Sequence, residues 1–504
     1  MFDIFLIIKT IRLKFTKCDL LLLGVILLLF FLTRLINIEK LPIFTDEGIY
    51  INWSKIAWHD ASWRFISLTD GRQPLQTWVT IPLLKLFSSN ALLAGRLFGV
   101  TSGFISLIGV FILLFYLFNK RAAFIGSFLY LIIPYFTLYD RMALMDSGTN
   151  AAFVWILFFS ILLVKTLRLD FAIIFGLISG VSLLAKSSVQ LFIGLAVGAP
   201  LLIIKKPLQK FIRHLVNYAF LYLIVVSLAL VIYNIQRLSP FMHFISQKNN
   251  TFILSFDELI KNPFGSFQFN IWSMGYYVLF ESGTVICITG IIGLFMLLKR
   301  DRRLSLYLFA WLIISYISIA FVARVLYPRY ITFYATLAII GTTYLLTAVK
   351  NKKLIIFIIG VIIVSVVYQN YTILFDYKNI PLPEIDRGQY IEGGSSGLGI
   401  KEIIDFAREK AKEKPVVILA EGNFGMAGDV LNVFIRKDEK IFVKSFWPFD
   451  EKNLLENQKE LKTQYVYAVY VYRTEFPSPW PIKLIQKYEK PGGKNSIYLF
   501  ELTK

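Results

Sequence analysis

The sequence predicts an α-helical, polytopic membrane protein that ends in a small α/β domain. Of its 504 residues, 56% are hydrophobic and only 17% are charged, a composition typical of integral membrane proteins. The mean hydropathy is +0.63. Long apolar segments alternate with polar loops up to about residue 375 and then stop. We therefore expect a transmembrane part over residues 1–375 and a C-terminal domain over residues 376–504.

The first long apolar segment follows a basic N-terminus and has no small-residue cleavage pattern after it, so we expect it to remain as a signal anchor. Ten further segments give eleven predicted spans. Two of them, 171–185 and 189–204, are shorter than the roughly 20 residues that a spanning helix needs, so a re-entrant hairpin is the alternative there. The predicted segments are 20–37, 90–118, 122–138, 149–164, 171–185, 189–204, 214–235, 276–298, 304–322, 330–348 and 354–372.

Positive charge is concentrated in every second loop of the membrane part. Of 53 Lys+Arg and 33 Asp+Glu residues, 20 and 19 lie in 376–504, which leaves 33 and 14 for 1–375. This bias indicates a multi-pass plasma-membrane protein with a cytoplasmic N-terminus and an external C-terminal domain. The net charge of +20 is then a topology signal, and we expect no binding to nucleic acid. The basic clusters are Lys9 to Lys17, Lys120-Arg121, Lys165 to Arg168, Lys205 to Arg213, Lys299 to Arg303 and Lys350 to Lys353.

In that orientation, ten of the fourteen acids of the membrane part lie on the external side, so we expect the chemistry there. Two long external loops, 38–89 and 236–275, are rich in Trp or Phe, which is typical of helices that lie in the membrane interface. The ten acids are Glu39, Asp46, Glu47, Asp60, Asp70, Asp140, Asp146, Asp257, Glu258 and Glu281.

The C-terminal domain follows a linker marked by Pro381, Pro383 and the pair Gly393-Gly394. Helical and strand-like segments alternate after it, which favours a small α/β domain. The predicted helices cover 400–413, 427–435 and 453–462, and the predicted strands cover 416–420, 441–446, 465–472 and 497–502.

Two adjacent acids, Asp46 and Glu47, follow the first span. Thr45 is a suitable N-cap, which would place both acids in the first turn of a helix, where the dipole favours ionised carboxylates. Side chains at i and i+1 point in different directions, so we expect different roles for the two acids. An ionised carboxylate at a membrane surface is a candidate general base. A purely structural role at the helix N-terminus is the alternative.

Four basic side chains, Arg72, Arg96, Lys186 and Arg329, are expected at the external edge of the membrane. Ionisable groups at that depth are costly unless they face a cavity or a partner. Together the four suit a phosphate or diphosphate headgroup, whereas individually each is compatible with a snorkelling anchor. A second acidic motif, residues 139–146, is either a locally salt-bridged turn or part of the same site.

In this order the motifs resemble those of the GT-C glycosyltransferases of the dolichyl-phosphate-mannose protein mannosyltransferase type, a group that includes the bacterial enzymes that transfer aminoarabinose to lipid A. The resemblance covers residues 1 to about 350. Arg72-Gln73 replaces the usual Lys-Pro, which weakens an assignment to the aminoarabinose branch. The matching motifs are Asp46-Glu47, Arg72-Gln73-Pro74, Arg141 to Asp146, Lys186 and Arg329-Tyr330.

The resemblance implies a GT-C fold and an inverting enzyme that moves a sugar from a polyprenyl phosphate to an acceptor hydroxyl on a protein, a lipid or a glycan. Its other partners would be membrane lipids, and it implies no metal and no cofactor. The sugar and the acceptor stay open. The implied site consists of Asp46 as general base, Glu47 and Asp146 as further catalytic residues, Arg72, Lys186, Arg329 and Arg96 on the donor phosphate, and Arg141 and Tyr330 on the acceptor or sugar.

Two other classes of membrane protein are alternatives. A transporter or flippase of lipid-linked sugars also uses buried charges, but it typically has broken helices in two related halves and binds at the midplane. The sequence contains no corresponding halves. A non-catalytic membrane protein with an external domain would leave the acids and bases at the external edge unexplained.

Overall fold

The computed structural model describes residues 15–203 and 207–504. Several basic residues of the topology argument, Lys9, Arg12, Lys14, Lys205 and Lys206, lie outside the described residues, as does residue 204 at the end of a predicted span. In the described part, a bundle of apolar helices precedes a domain built on one mixed sheet. The α-helical membrane protein with a C-terminal α/β domain, predicted from the sequence, is thus confirmed.

The membrane part contains both long and short helices. Its α-helices are Lys17–Leu35 (α1), Thr45–His59 (α2), Leu75–Leu86 (α3), Ala91–Leu117 (α4), Lys120–Ile132 (α5), Pro134–Tyr139 (α6), Asp146–Thr166 (α7), Leu169–Leu183 (α8), Val189–Ala196 (α9), Leu208–Tyr233 (α10), Phe244–Phe252 (α11), Phe256–Lys261 (α12), Phe267–Ser282 (α13), Thr284–Arg300 (α14), Arg302–Val322 (α15), Phe333–Ala348 (α16) and Lys352–Phe375 (α17). Short 3₁₀ turns cover Ala61–Trp63, Ile66–Asp70, Ala199–Ile203, Asn234–Leu238, Pro328–Ile331 and Tyr377–Asn379.

Among the described residues, six helices are long and apolar enough to cross a membrane, and the bent pair α13 and α14 makes a seventh if it is one span. Three shorter apolar helices, α8, α16 and the segment Val189–Ile203, have 10 to 17 residues. The count of eleven spans therefore stays a prediction.

Two predicted continuous segments are broken in the structure. The segment 276–298 is split at Gly283, where φ is +86° and the axes of α13 and α14 diverge by 106°. A glycine adopts this left-handed conformation without the steric penalty of a side chain, so it ends one helix and starts the next. The segment 122–138 is split at Pro134, because proline disfavours helical geometry in the residue before it.

The two long loops, 38–89 and 236–275, are largely helical, as the sequence predicts. The first contains α2 and α3, and the second contains α11 and α12. The predicted N-cap is wrong by one residue, since α2 begins at Thr45 and Phe44 is its N-cap. The Thr45 hydroxyl donates instead to the Ser395 carbonyl at 3.0 Å, and the Glu47 carboxylate accepts the Phe44 backbone N–H at 3.0 Å. The Glu47 carboxylate, not the Thr45 hydroxyl, therefore accepts a free backbone N–H group at the start of this helix.

The C-terminal sheet has the strand order β2-β1-β3-β5-β4. The first three strands are parallel to one another, whereas β5 is antiparallel to both β3 and β4. The elements of this part are the helices Glu384–Arg387 (α18), Ile400–Ala411 (α19), Gly428–Phe434 (α20) and Glu451–Asn457 (α21), the π-helical turn Gly388–Glu392, the 3₁₀ turn Gln458–Lys462, and the strands Val416–Glu421 (β1), Ile441–Phe446 (β2), Tyr465–Tyr470 (β3), Ile482–Glu489 (β4) and Ser496–Leu502 (β5).

Helices cover both faces of this sheet. Ile403 of α19 and Val430 of α20 pack with Ile418 on one face, and Leu454 of α21 packs with Leu419 on the other. Strand β4 was missed in the sequence, because it is an edge strand whose side chains are mostly exposed and show no apolar alternation. The other strands lie within two residues of their predicted ends.

The C-terminal domain is docked on α2. The carboxamide of Asn52 donates to Asp429 at 2.7 Å, and the Lys55 ammonium donates to the Ile435 carbonyl at 2.7 Å, just after the end of α20. A Cβ on Gly425 would lie 2.8 Å from Cγ2 of Thr45, so the β1–α20 loop touches the first residue of α2. The same helix therefore carries Asp46 and holds the sheet domain.

Candidate active site

Asp46 lies at the centre of a cluster of charged side chains. Arg72 donates to its Oδ1 at 3.1 Å and Arg329 donates to its Oδ2 at 3.0 Å. Arg72 follows the 3₁₀ turn 66–70, and Arg329 lies in the turn before α16. Asp46 is therefore clamped between two guanidinium groups that come from distant parts of the chain.

On the Arg72 side, the cluster continues into the second long loop, 236–275. Nε of Arg72 donates to Asp70 at 2.9 Å, and the Lys248 ammonium of α11 donates to the other oxygen of Asp70 at 2.8 Å. Gly71 (φ +67°) permits this contact, because its left-handed turn packs directly on the Phe244 carbonyl, where a side chain would clash. Both long loops thus contribute to one site.

On the other side, the cluster reaches Asp146 at the start of α7. Lys186 donates to Asp146 at 2.7 Å, and Nε of Arg329 lies 3.9 Å from the second Asp146 oxygen. The Lys186 ammonium is also 4.1 Å from the ring centroid of Tyr330. Arg329 therefore links Asp46 to Asp146. The ring of Tyr330 contacts the ammonium group of the Lys186–Asp146 pair.

Aromatic rings hold the two arginines in place. The Arg72 guanidinium lies 5.1 Å from the ring of Tyr50, and that of Arg329 lies 4.9 Å from the ring of Phe44. Such contacts fix a cation while leaving its N–H groups available to ligands.

The linker to the C-terminal domain completes the site at Arg329. Nη1 of Arg329 donates to the Gln389 side chain and to the Tyr390 hydroxyl, the latter at 3.1 Å. The Tyr390 ring packs edge to face on Phe44 at 5.0 Å. Arg329 is only 6% exposed at its side chain, so its orientation is fixed by these partners.

The charges of the cluster favour an anionic ligand. Within the described part of the chain it contains four cations, Arg72, Lys186, Lys248 and Arg329, against three carboxylates, Asp46, Asp70 and Asp146, which leaves one positive charge. The side chain of Asp46 is 20% exposed and can therefore be reached. Burial would raise the pKa of Asp46, but the charges of Arg72 and Arg329 outweigh it and hold that pKa below its usual value. Asp46 is thus kept ionised.

Glu47 and Arg96 do not face the cluster, which corrects the prediction of catalytic and phosphate-binding roles for them. Both side chains are completely buried, and they form two hydrogen bonds of 2.9 Å with each other. Glu47 also accepts the backbone N–H of Ala143 at 2.8 Å, and Arg96 donates to the Leu41 carbonyl at 3.0 Å. Every polar side-chain atom of the pair is hydrogen-bonded inside the protein. The Glu47–Arg96 ion pair therefore has a structural role next to Asp46.

Arg141 is also placed away from the cluster, contrary to its predicted role in orienting a substrate. Its Nη1 donates to the Thr33 carbonyl at 2.8 Å, at the end of α1. Its neighbour Asp140 pairs with Arg34 at 3.4 Å and accepts from Ser147 at 2.9 Å. The first residues of the turn 139–146, Asp140 and Arg141, therefore contact α1. Its last residue, Asp146, reaches the cluster.

Six of the nine predicted site residues meet in this cluster: Asp46, Arg72, Asp146, Lys186, Arg329 and Tyr330. Sequence reasoning missed Lys248, Asp70, Tyr50, Gln389 and Tyr390 as members. The Asp70-Gly-Arg72 turn was a usable signal for Asp70. Nothing local distinguishes Lys248 or Gln389, because only the fold brings them to Arg72 and Arg329. In the part of the chain that the structure describes, no three His, Cys, Asp or Glu side chains form a group that could hold a metal ion.

Residues 72–234 match the family of dolichyl-phosphate-mannose-protein mannosyltransferases. No curated protein matches the sequence. The fold is similar to that of ArnT from Cupriavidus metallidurans, both in its apo state (TM-score 0.58) and bound to undecaprenyl phosphate (TM-score 0.61). In both comparisons the identity is 14%, and the similarity covers 95% of this chain and 97% of ArnT.

A second similar structure is the oligosaccharyltransferase AglB from Archaeoglobus fulgidus in complex with an inhibitory peptide and a dolichol phosphate. Its identity is 12% and its TM-score 0.51, over 90% of this chain and 69% of AglB. At these identities the likeness is one of fold. The family match to part of the chain and the shared fold along its length confirm the resemblance to GT-C glycosyltransferases of the protein mannosyltransferase and ArnT type.

Proposed function

We propose that the chain is an integral membrane glycosyltransferase that moves a sugar from a polyprenyl phosphate to an acceptor hydroxyl, with inversion, on the external face of the membrane. The observation that carries this proposal is the clamping of Asp46 between Arg72 and Arg329, beside the pair of Lys186 and Asp146. The bound undecaprenyl and dolichol phosphates of the two similar structures support the class of donor.

The phosphate of the donor would bind at Arg72, Lys186 and Arg329. Arginine offers paired N–H groups to phosphate oxygens, and lysine adds a compact charge. As the bond between the sugar and the phosphate breaks, its electron pair passes to the phosphate, and these cations stabilise the added charge. Fixed cations of this kind are worth most in a partly buried site, where water screens them little.

Asp46 would act as the general base. It takes the proton of the acceptor hydroxyl while the hydroxyl oxygen forms a bond to the anomeric carbon, opposite the departing phosphate. A phosphate at Arg72 and Arg329 competes with Asp46 for the same N–H groups. Donor binding therefore weakens the two ion pairs that hold the pKa of Asp46 down, and its basicity rises as the donor arrives.

A transporter or flippase of lipid-linked sugars is the second candidate, because α13 and α14 form a helix pair broken at Gly283. Broken helices are common in transporters. The charged cluster, however, joins residues from two external loops and the linker, and none of its members lies at this break.

The two candidates are separated by purified protein in vesicles that contain radiolabelled polyprenyl-phosphate sugars and extracted acceptor fractions. A glycosyltransferase releases polyprenyl phosphate and moves the label into the lipid, protein or polymer fraction. Arg72→Ala and Lys186→Ala should lower donor use, whereas Lys85→Ala, an exposed lysine of α3, is the matched control. Movement of the intact donor across the vesicle without a new glycosidic bond would contradict the proposal.

A further inference from the structure

The C-terminal sheet has a switch point beside the proposed active site. From β1 the chain passes to β2 on one side and then to β3 on the other, so α20 and α21 lie on opposite faces. In open α/β sheets, this arrangement leaves a crevice at the carboxyl ends of the strands, where ligands bind. Here the loops after β1 and β3, residues 422–427 and 471–475, border that crevice.

Three backbone N–H groups at this end of the sheet are already occupied. One oxygen of Glu421, the last residue of β1, accepts the backbone N–H groups of Val471, Tyr472 and Arg473 at 2.8, 2.6 and 3.1 Å. Three adjacent backbone N–H groups otherwise suit a phosphate or a carboxylate. Since the buried side chain of Glu421 occupies them, these N–H groups are not available to an anionic ligand.

Three large aromatic side chains lie at the carboxyl ends of β1, β2 and β3, and all are exposed. Phe424 after β1, Trp447 after β2 and Tyr472 after β3 have 48%, 62% and 48% of their surface accessible. Trp447 and Tyr472 pack edge to face at 5.9 Å, which leaves ring faces open. Rings held in this way offer flat apolar surface at low entropic cost.

This aromatic edge is continuous with the charged cluster. Phe424 lies 6.0 Å from Trp53, which lies 5.8 Å from Tyr50, and Tyr50 carries the Arg72 guanidinium on its ring. Tyr50 and Trp53 follow Asp46 by one and two turns of α2. The edge and the charged cluster are therefore linked by ring contacts along α2 that pass through the buried Trp53.

We propose that the aromatic edge of Phe424, Trp447 and Tyr472 binds a neutral sugar residue of the acceptor, so that the acceptor is a glycan. This inference rests on the proposed glycosyltransferase function and adds the class of acceptor. The C–H face of a sugar ring stacks on aromatic rings, and a neutral sugar does not compete for the N–H groups that Glu421 fills.

The test is calorimetric titration of the full-length protein in detergent micelles with neutral tetrasaccharides of glucose, mannose and N-acetylglucosamine. At least one should bind, and Trp447→Ala and Tyr472→Ala should each weaken binding about fivefold or more. Trp447→Phe should restore most of the affinity, because it keeps a ring. Phe442→Ala is the matched control, since Phe442 is a 54% exposed ring near the start of β2, at the opposite end of the sheet.

Asp46→Asn protein should bind the tetrasaccharide like the wild type, which separates this inference from the catalytic proposal. A protein that binds a tetrasaccharide but transfers no sugar would contradict the catalytic proposal alone. The inference is overturned if no tetrasaccharide binds. It is also overturned if the double variant that combines Trp447→Ala with Tyr472→Ala binds as well as the wild type. It is also overturned if a Ser- and Thr-containing peptide binds in their place with the same dependence on Trp447.

Discussion

At the scale of residues, Asp46 and Glu47 show how two adjacent carboxylates acquire different roles. Asp46 points into a partly exposed cluster of cations, whereas Glu47 points into the protein and pairs with Arg96. The sequence predicts the divergence, because neighbouring helical side chains point apart. Which acid faces the site depends on the position of Arg96 and of the Ala143 backbone N–H, and both come from other helices or turns.

Glu47→Gln should destabilise the protein strongly, since it leaves the buried Arg96 without a counter-charge. Breaking one side of a buried ion pair costs about 3–5 kcal/mol. The thermal unfolding midpoint in detergent should fall clearly below that of the wild type. Asp46→Asn is the matched control with a smaller expected cost, because Arg72 keeps Asp70 and Arg329 keeps Asp146 as counter-charges. Equal midpoints for the two variants would contradict the structural role of the Glu47–Arg96 pair.

Asp386 of the linker should make stability depend on pH. It is completely buried and accepts the Tyr139 hydroxyl, and burial raises its pKa above the usual value of 3.8. Because the folded pKa lies above the unfolded one, the protonated form favours folding. Stability should therefore fall as the pH rises from about 4 through the folded pKa. Asp386→Asn should flatten this dependence and raise the unfolding midpoint at pH 7.5 relative to the wild type. An unchanged pH profile in the variant would show that Asp386 is not the titrating group.

At the scale of elements, hydrophobic pattern predicts the long helices and the buried strands. Strand β2 has its predicted ends, because Ile441 to Phe446 is a compact β-favouring run bounded by charged residues and a Trp-Pro pair. Breaks inside apolar segments are less visible. Gly283 ends α13 through its backbone angle, and the polar run Glu281 to Thr284 around it is a local sign of the 106° bend that the apolar average of the segment conceals.

The contact between the β1–α20 loop and α2 should be sensitive to any side chain at residue 425. Gly425 has φ +77°, and a Cβ there would lie 2.8 Å from Thr45, so Gly425→Ala should cost about 1–3 kcal/mol. We expect faster proteolysis of the C-terminal domain and lower transfer activity. Gly388→Ala is the control, because Gly388 has no neighbouring atoms within 4 Å of a Cβ. Equal proteolysis rates for the two variants would contradict this docking contact.

At the scale of the whole molecule, the basic loops predict the orientation in the membrane. A reporter fused after Lys353 should be cytoplasmic, and one fused after Lys504 should be external, because the basic clusters close every second segment. Green fluorescent protein fusions report the cytoplasmic location, and alkaline phosphatase fusions report the external one. A cytoplasmic signal from the C-terminal fusion would move the charged cluster to the other face of the membrane.

The candidate site shows how far sequence reasoning reaches at this scale. Residues in motifs, such as Lys186 and Arg329, were predicted because their types and order along the chain were informative. Residues from the loops and the linker, such as Lys248 and Tyr390, were not, because their contacts with Asp70 and Arg329 span 178 and 61 residues. The aromatic edge was missed as well, since it exists only once the sheet order is known.

The central claim is that Asp46 removes the acceptor proton during sugar transfer from a lipid phosphate. The most direct measurement is the single-turnover rate of purified wild-type and Asp46→Asn protein at saturating lipid-linked sugar and acceptor, with donor binding measured in parallel. The amide keeps the size of the carboxylate but cannot accept the proton. Because the amide also competes less than the carboxylate for Arg72 and Arg329, we predict donor binding at least as tight as in the wild type and a rate lowered by about 10²–10⁴. Transfer by Asp46→Asn protein at the wild-type rate would contradict the claim.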